Sequence, residues 1–251
     1  MADLDLRLGR DVLVVANGAR ERLLGLVENS GHVEGIDLDL CGAATLAIEP
    51  EVIEHEILQD VSCGAQCVVL NVFDFSPASL RRMDCLSKAD DLAKKTTDLV
   101  AGTKLQHPLI QIYPSQLPLD ESSKTSLNEH CEQYKFVAKL FENLPVDGFL
   151  CVGFESEAEL KCALTGIRKA SLKTIVYEKQ AKWEENVEDL DFAPASSSYF
   201  SFDYSAIGSL DSLLDESLMK AKEGIQFLNV RGASASKTAA VFAVTNGIMC
   251  S

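Results

Sequence analysis

Apolar residues along this chain alternate between two kinds of pattern. Short runs rich in β-branched residues predict six strands: Val12 to Val15, Cys67 to Asn71, Leu109 to Ile112, Gly148 to Val152, Thr174 to Tyr177 and Gln226 to Val230. Longer segments between them carry apolar positions three and four apart. Pro50 opens a helix that ends at Gly64, Ser76-Pro77 begins a second, and Lys88 to Ala101 forms a third that stops at Gly102. Asn128 to Asn143 packs Cys131, Tyr134, Ala138 and Phe141 on one face, and Ser156 is the candidate N-cap, ahead of Glu159, of a helix reaching Ala170. Asp211 to Gly224 and Lys237 to Asn246 complete the set. Strands that alternate with helices imply βαβ units and a parallel sheet. About six such units with no break between them favour a single α/β domain over residues 1–251. Its predicted architecture is a (β/α) barrel of TIM type, incomplete or shortened, although periodicity alone does not separate a barrel from an open sheet.

Two features disturb the pattern. The segment 178–209 contains KWEENVEDLDFAPASSSYF, first acidic and then rich in small residues, and reads as a long excursion. Trp183, Phe192, Tyr199, Phe200, Phe202 and Tyr204 give it something to pack, and a short hairpin is expected near Tyr199 to Tyr204. The second feature is Asn71, which closes an otherwise apolar strand with a carboxamide that is costly to bury unless it is bonded.

Composition narrows the function. The formal charge of −15 over 251 residues excludes a protein built to grip phosphate backbones. No signal-peptide pattern opens the chain and no apolar run approaches a membrane span, so a cytoplasmic protein is expected, without nucleic-acid or membrane partners. The eight cysteines form no C-x-x-C pair and belong to a reducing compartment, with Cys67 and Cys151 acting as small hydrophobes. The histidines make no metal spacing, and His55 and His130 are expected at the surface. There is no P-loop, no G-x-G-x-x-G, and no positional Ser-His-Asp or Cys-His set.

Read in series, several stretches resemble the homocysteine-binding barrel of the homocysteine S-methyltransferase family. Cys63-Gly64-Ala65-Gln66 followed by Leu70-Asn71-Val72-Phe73 resembles its A-G-A-D … T-N-T-F strand. Residues 117–134 (LPLDESSKTSLNEHCEQY) resemble the stretch after its third strand, and 145–164 (PVDGFLCVGFESEAELKCAL) its fourth strand and helix. Residues 208–234 resemble the region leading to its sixth strand. The resemblance implies a site at the carboxyl ends of barrel strands. It nominates Asn17, Asn71, Phe73, Glu155, Glu178 and Arg231 as ligand-binding residues, with Asn71 pointing into the pocket mouth.

The departures are equally specific. Asn17-Gly18-Ala19-Arg20-Glu21-Arg22 stands where the family has D-G-A-M-G-T, and the fourth-strand Glu falls on Val152. The family's first zinc cysteine falls near Arg231-Gly232, and its G-G-C-C-G motif has no counterpart before Ser251. Three thiolates hold the family's zinc and activate the homocysteine sulfur. No metal site and no cofactor, zinc included, is therefore expected. The resemblance then implies a divergent relative, a pseudoenzyme candidate. It would bind a small ligand (a thiol, an amino acid or a folate-like molecule) or serve as a partner subunit linked to methyl-transfer metabolism. The alternatives are an active methyltransferase completed by another polypeptide, and a metal-free enzyme using Asn17, Asn71 and Arg231. With six strands, Val12 to Val15 and Gln226 to Val230 would be bare sheet edges; either the Tyr199 to Tyr204 segment supplies a local strand or, as favoured, a homodimer or partner subunit covers them.

Overall fold

The computed structural model describes residues 4–8, 10–17, 19–20, 22–23, 37–178, 195–196, 199–203, 209–231 and 241. Its strands are β1 (Leu13–Ala16), β2 (Cys67–Val69), β3 (His107–Ile112), β4 (Gly148–Cys151), β5 (Thr174–Tyr177), β6 (Ala195–Ser196), β7 (Tyr199–Asp203) and β8 (Phe227–Arg231). All their pairings are parallel, in the order β6-β5-β4-β3-β2-β1-β8-β7. β6 bonds β5, and β7, which begins three residues after β6 ends, bonds β8. Residues 195–196 and 199–203 thus occupy the two sides of the gap between β5 and β8 in a nearly closed barrel.

This corrects two expectations. β1 bonds β2 on one side and β8 on the other, with Leu13, Val14 and Val15 in register with Phe227, Leu228 and Asn229. Neither β1 nor β8 is a bare edge, so the edge argument for a covering subunit falls away. Nor is Tyr199–Asp203 part of a hairpin; it lies parallel to β8. Tyr199 and Ser201 lie on one face of it, and Phe200 and Phe202 on the other.

Seven α-helices are described: α1 (Leu38–Ile48), α2 (Pro50–Ser62), α3 (Pro77–Arg82), α4 (Ala89–Asp98), α5 (Lys124–Phe141), α6 (Glu157–Arg168) and α7 (Leu210–Lys222). Serine caps recur because a hydroxyl satisfies an orphan amide of the first turn. Ser76, Ser123, Ser156 and Ser209 accept from the amides of Ser79, Ser126, Glu159 and Ser212. Helix α1 was not legible from periodicity, since LDLCGAATLAI has no polar face to alternate with. Its Asp37 cap, accepting from the amides of Asp39 and Leu40, was the available signal. Of the predicted helix 237–246, only Val241 lies within the described residues, helical and buried.

Strand parity sorts the core into layers. Leu13, Val15, Cys67, Val69, Leu109, Leu150, Val176, Tyr199 and Phe227 fill the barrel interior, with Leu4 from a short 3-10 turn (Leu4–Arg7) packed among them. Their neighbours one step along, including Val68, Ile110, Phe149, Cys151 and Ile175, face the helices. Burial pushes the thiols of Cys67 and Cys151 up, as suits small hydrophobes in a dry core. His130 departs from expectation. It is buried, with Nδ1 2.9 Å from the Ser126 carbonyl oxygen and Nε2 3.3 Å from that of Leu117, and so ties the chain before α5 to that helix.

Spacing between staves is tight at Gly148, where an added Cβ would stand 2.5 Å from the Thr174 carbonyl oxygen on β5. Gly148→Ala should cost roughly 2 kcal/mol through forced separation of β4 and β5. Urea unfolding would read this as a lower midpoint at unchanged slope; an unchanged midpoint would contradict it.

Candidate functional site

A cavity of about 250 Å³ opens at the carboxyl ends of the staves, lined by Asn17, Arg20, Gln111, Tyr113, Val152, Gly153, Glu178, Tyr199, Ser201 and Asn229. Its construction follows from the period of a strand. Asn17, Gln111, Val152, Glu178, Ser201 and Asn229 each lie two residues beyond an interior residue: Val15, Leu109, Leu150, Val176, Tyr199 and Phe227. The barrel therefore carries a dry layer below and a mostly polar layer above it. Within that upper layer the Asn17 carboxamide donates to Gln111 Oε1. Asn229 Nδ2 donates to the Tyr199 hydroxyl at 2.8 Å. Gly153 N–H donates weakly to Glu178 Oε2 at 3.4 Å.

Ser201 stands out. Its Oγ is buried and has no hydrogen-bond partner in the protein.

Arg20 is the cation among the described lining residues and is held from three sides. Its guanidinium carbon sits 4.6 Å from the Tyr113 ring centre, and Nη1 lies 3.0 Å from Asp39 Oδ1 and 3.3 Å from the Val72 carbonyl oxygen. Burial disfavours its charge, but Tyr113 and Asp39 outweigh that and hold its pKa above the usual value. Asp39, buried on α1, also accepts from Arg82 Nη2 at 2.8 Å, Ser79 Oγ at 2.9 Å and the Asp74 amide at 3.2 Å. Charge-assisted bonding centred on Asp39 thus fixes one side of the cavity. Two residues on, Arg22 binds Asp60 on α2 through both Nη atoms, at 3.1 and 3.0 Å, and anchors the chain that carries Arg20. Burial pushes the Tyr113 phenol up to about 12 despite Arg20, so it stays a neutral hydroxyl. The loop beyond Tyr113 is pinned because the Ser115 amide donates to Glu159 Oε1 at 2.6 Å and to the Tyr134 hydroxyl at 3.0 Å.

Asn71 lies elsewhere than the mouth of the cavity. β2 and β3 pair with Val69 opposite Leu109, and the next inward pair would be Asn71 with Gln111. There the side chain replaces the backbone. Asn71 Oδ1 accepts from the Gln111 amide at 2.8 Å and Nδ2 donates to the Gln111 carbonyl oxygen at 3.0 Å. Nδ2 also donates to Phe73 O at 3.1 Å. The carboxamide is a splint that extends the ladder where β2 peels away.

Of the residues nominated from sequence, Asn17 and Glu178 line the cavity. Asn71 is spent on the ladder. Phe73 stacks on Phe75 at 4.4 Å in the helix-facing core, and Glu155 is exposed. The backbone of Arg231 ends β8 opposite Asp203, and its side chain is outside the described residues. Arg20, Gln111, Tyr113, Tyr199, Ser201 and Asn229 were missed. For Gln111 and Asn229 the signal was present: each is a lone amide two positions past an apolar residue in HPLIQI and FLNVR, the same pattern that drew attention to Asn71.

Among the described residues, no group of three or more His, Cys, Asp or Glu side chains is placed to hold a metal ion. Among the described residues the lining offers one carboxylate, an arginine and no thiol, a donor set that does not suit a thiolate-held zinc.

No family model matches the chain, and no curated protein matches it by sequence. Solved structures do match in fold. The homocysteine methyltransferase MmuM from Escherichia coli, in its metallated form, superposes with a TM-score of 0.67 at 12% identity, over 93% of this chain and 96% of that one. The oxidised form gives 0.67 at 11% over the same shares, and the apo form 0.61 at 12% over 94% and 96%.

Two outcomes follow from the site's bonding. Asn71→Ala strands the buried amide and carbonyl of Gln111 and should cost about 2–4 kcal/mol of stability. Loss of stability below about 1 kcal/mol in urea unfolding would contradict the splint. Burial also raises Asp74 from 3.8 to about 6, against the hydrogen bonds from Ser76. A carboxyl raised on folding contributes stability that is full below pH 3.8 and lost as pH rises through about 6. Asp74→Asn should therefore flatten the pH dependence of unfolding across that window, by up to about 3 kcal/mol. An unaltered profile would refute the assignment.

Proposed function

We propose that this chain is a small-molecule-binding barrel of methyl-transfer metabolism whose ligand is an amino-acid-sized zwitterion. The observation that carries the reading is Ser201 Oγ, buried at the cavity and unbonded to protein. A buried hydroxyl with no partner in the protein is suited to pairing with a ligand. The groups around it are of complementary kinds. Arg20 suits a carboxylate, with Asp39 and Tyr113 fixing its plane. Glu178 suits an ammonium group, and Asn17, Gln111 and Asn229 supply amides for orientation. A volume near 250 Å³ falls below the roughly 300–1,000 Å³ of larger ligand sites, which favours a thiol or amino acid over a folate-like molecule.

The fold likeness to a homocysteine methyltransferase supports the link to methyl-transfer chemistry. The absence of a cysteine at Arg231-Gly232 and of a thiol from the described lining supports binding without zinc-activated methyl transfer by the isolated chain.

Thermal unfolding with a panel of homocysteine, methionine, S-methylmethionine and other amino acids tests the reading. A ligand at about a hundred times its Kd should add about 2.7 kcal/mol. Ser201→Ala should leave the free protein as stable or more so, since an unpaired hydroxyl is removed, yet weaken the ligand about tenfold. Glu178→Gln should weaken it as well. Failure of every amino acid, or a Ser201→Ala variant that binds as tightly as the parent, would overturn the proposal. In parallel, elemental analysis after mild chelation should find no stoichiometric zinc, and homocysteine-dependent methyl transfer should be absent.

A further inference from the structure

We propose that Cys131 on α5 and Cys162 on α6 form a reversible dithiol–disulfide couple, a modification site in the outer helical layer that responds to peroxide. Seven cysteines are described and all are free. Cys67 and Cys151 are sealed in the core with thiols raised by burial, and their chemistry is suppressed. Cys131 and Cys162 differ because each has the other for a partner.

The helices bring them together. Cys162 Sγ lies 3.5 Å from the Leu127 carbonyl oxygen, one turn before Cys131 on α5. One turn after Cys162 stands Gly166, where an added Cβ would be 2.4 Å from the Cys131 carbonyl oxygen and 3.0 Å from Tyr134 Cβ. A glycine at the crossing lets the two backbones approach more closely than any side chain would permit. A disulfide requires such an approach, with Cα atoms about 4.4–6.8 Å apart.

The pair is also asymmetric. A hydrogen bond from Cys162 lowers the Cys131 thiol below its ordinary range, assisted by Lys169 and His130 and opposed by burial and Glu132. The same bond raises Cys162. Cys131 is thus the nucleophile and Cys162 the resolving thiol.

The chemistry balances with hydrogen peroxide as the oxidant. The Cys131 thiolate attacks one peroxide oxygen, the O–O bond breaks, and the departing hydroxide leaves as water, giving a sulfenic acid. The Cys162 sulfur then attacks the Cys131 sulfur. The S–OH bond breaks, the Cys162 proton leaves with that hydroxyl as a second water, and the S–S bond forms. Two thiols lose two electrons and one peroxide becomes two waters; a dithiol reductant reverses the couple.

The test is peptide mapping of the reduced full-length chain after treatment with stoichiometric hydrogen peroxide near pH 7. The expected product is a linked peptide pair containing Cys131 and Cys162 that dithiothreitol separates. In Cys162→Ser, dimedone should trap a sulfenic acid at Cys131. In Cys131→Ser, oxidation of Cys162 should slow by about tenfold or more. The proposal is overturned if the unsubstituted chain shows no such linked pair. Reaction confined to the half-buried Cys41, Cys63 and Cys85 would also overturn it.

Discussion

A strand in a parallel barrel needs a neighbour on each side, and here that need falls on residues 195–196 and 199–203. The former bond β5 and the latter bond β8, whose other edge bonds β1. Each inward residue of β8 is then in register with one on β1 and one on β7: Phe227 with Leu13 and Tyr199, and Asn229 with Val15 and Ser201. The layering of the interior depends on this register. A slip of one residue would send Phe227 and Tyr199 outward and bring helix-facing Leu228 and Phe200 to the centre.

That layering also makes a polar cavity tolerable above a dry core. The amides and hydroxyls at the carboxyl ends are largely bonded to one another, so little of their desolvation goes unmet. The exception is Ser201, and it faces the cavity. Around the rim the charges form a chain, Arg20 to Asp39 to Arg82 and Arg22 to Asp60, which ties the segment after β1 to α1, α2 and α3. These pairs are buried on the carboxylate side. Their worth lies in fixing geometry, because the desolvation of each charge offsets much of the attraction.

The likeness to homocysteine methyltransferases therefore divides by level. The course of the chain is shared over more than nine-tenths of its length at 11–12% identity. Such sharing follows from alternation, parity and turn chemistry, which many sequences satisfy. Zinc-thiolate chemistry requires particular atoms at particular places, and the described lining presents amides, hydroxyls and an Arg–Glu pair of opposite charge. Fold and chemistry are specified by different numbers of residues, so likeness in the first does not carry the second.

The sequence by itself determined the βα alternation and most of the helices and strands. Each of these rests on local periodicity or on a cap such as Ser156, and is written within a few residues of where it acts. It also marked Asn71 as a residue needing a partner. Only the tertiary structure decided who that partner is, since the Gln111 backbone is forty residues away. The same holds for Arg20, whose motif position was noted while its role was not; Asp39 and Tyr113 define that role from distant parts of the chain. Whether a local strand or a second chain covers the barrel's gap was likewise beyond local reading. Which neighbour a strand bonds has no signature in its own residues, because the hydrogen bonds are made by backbone groups that every residue carries.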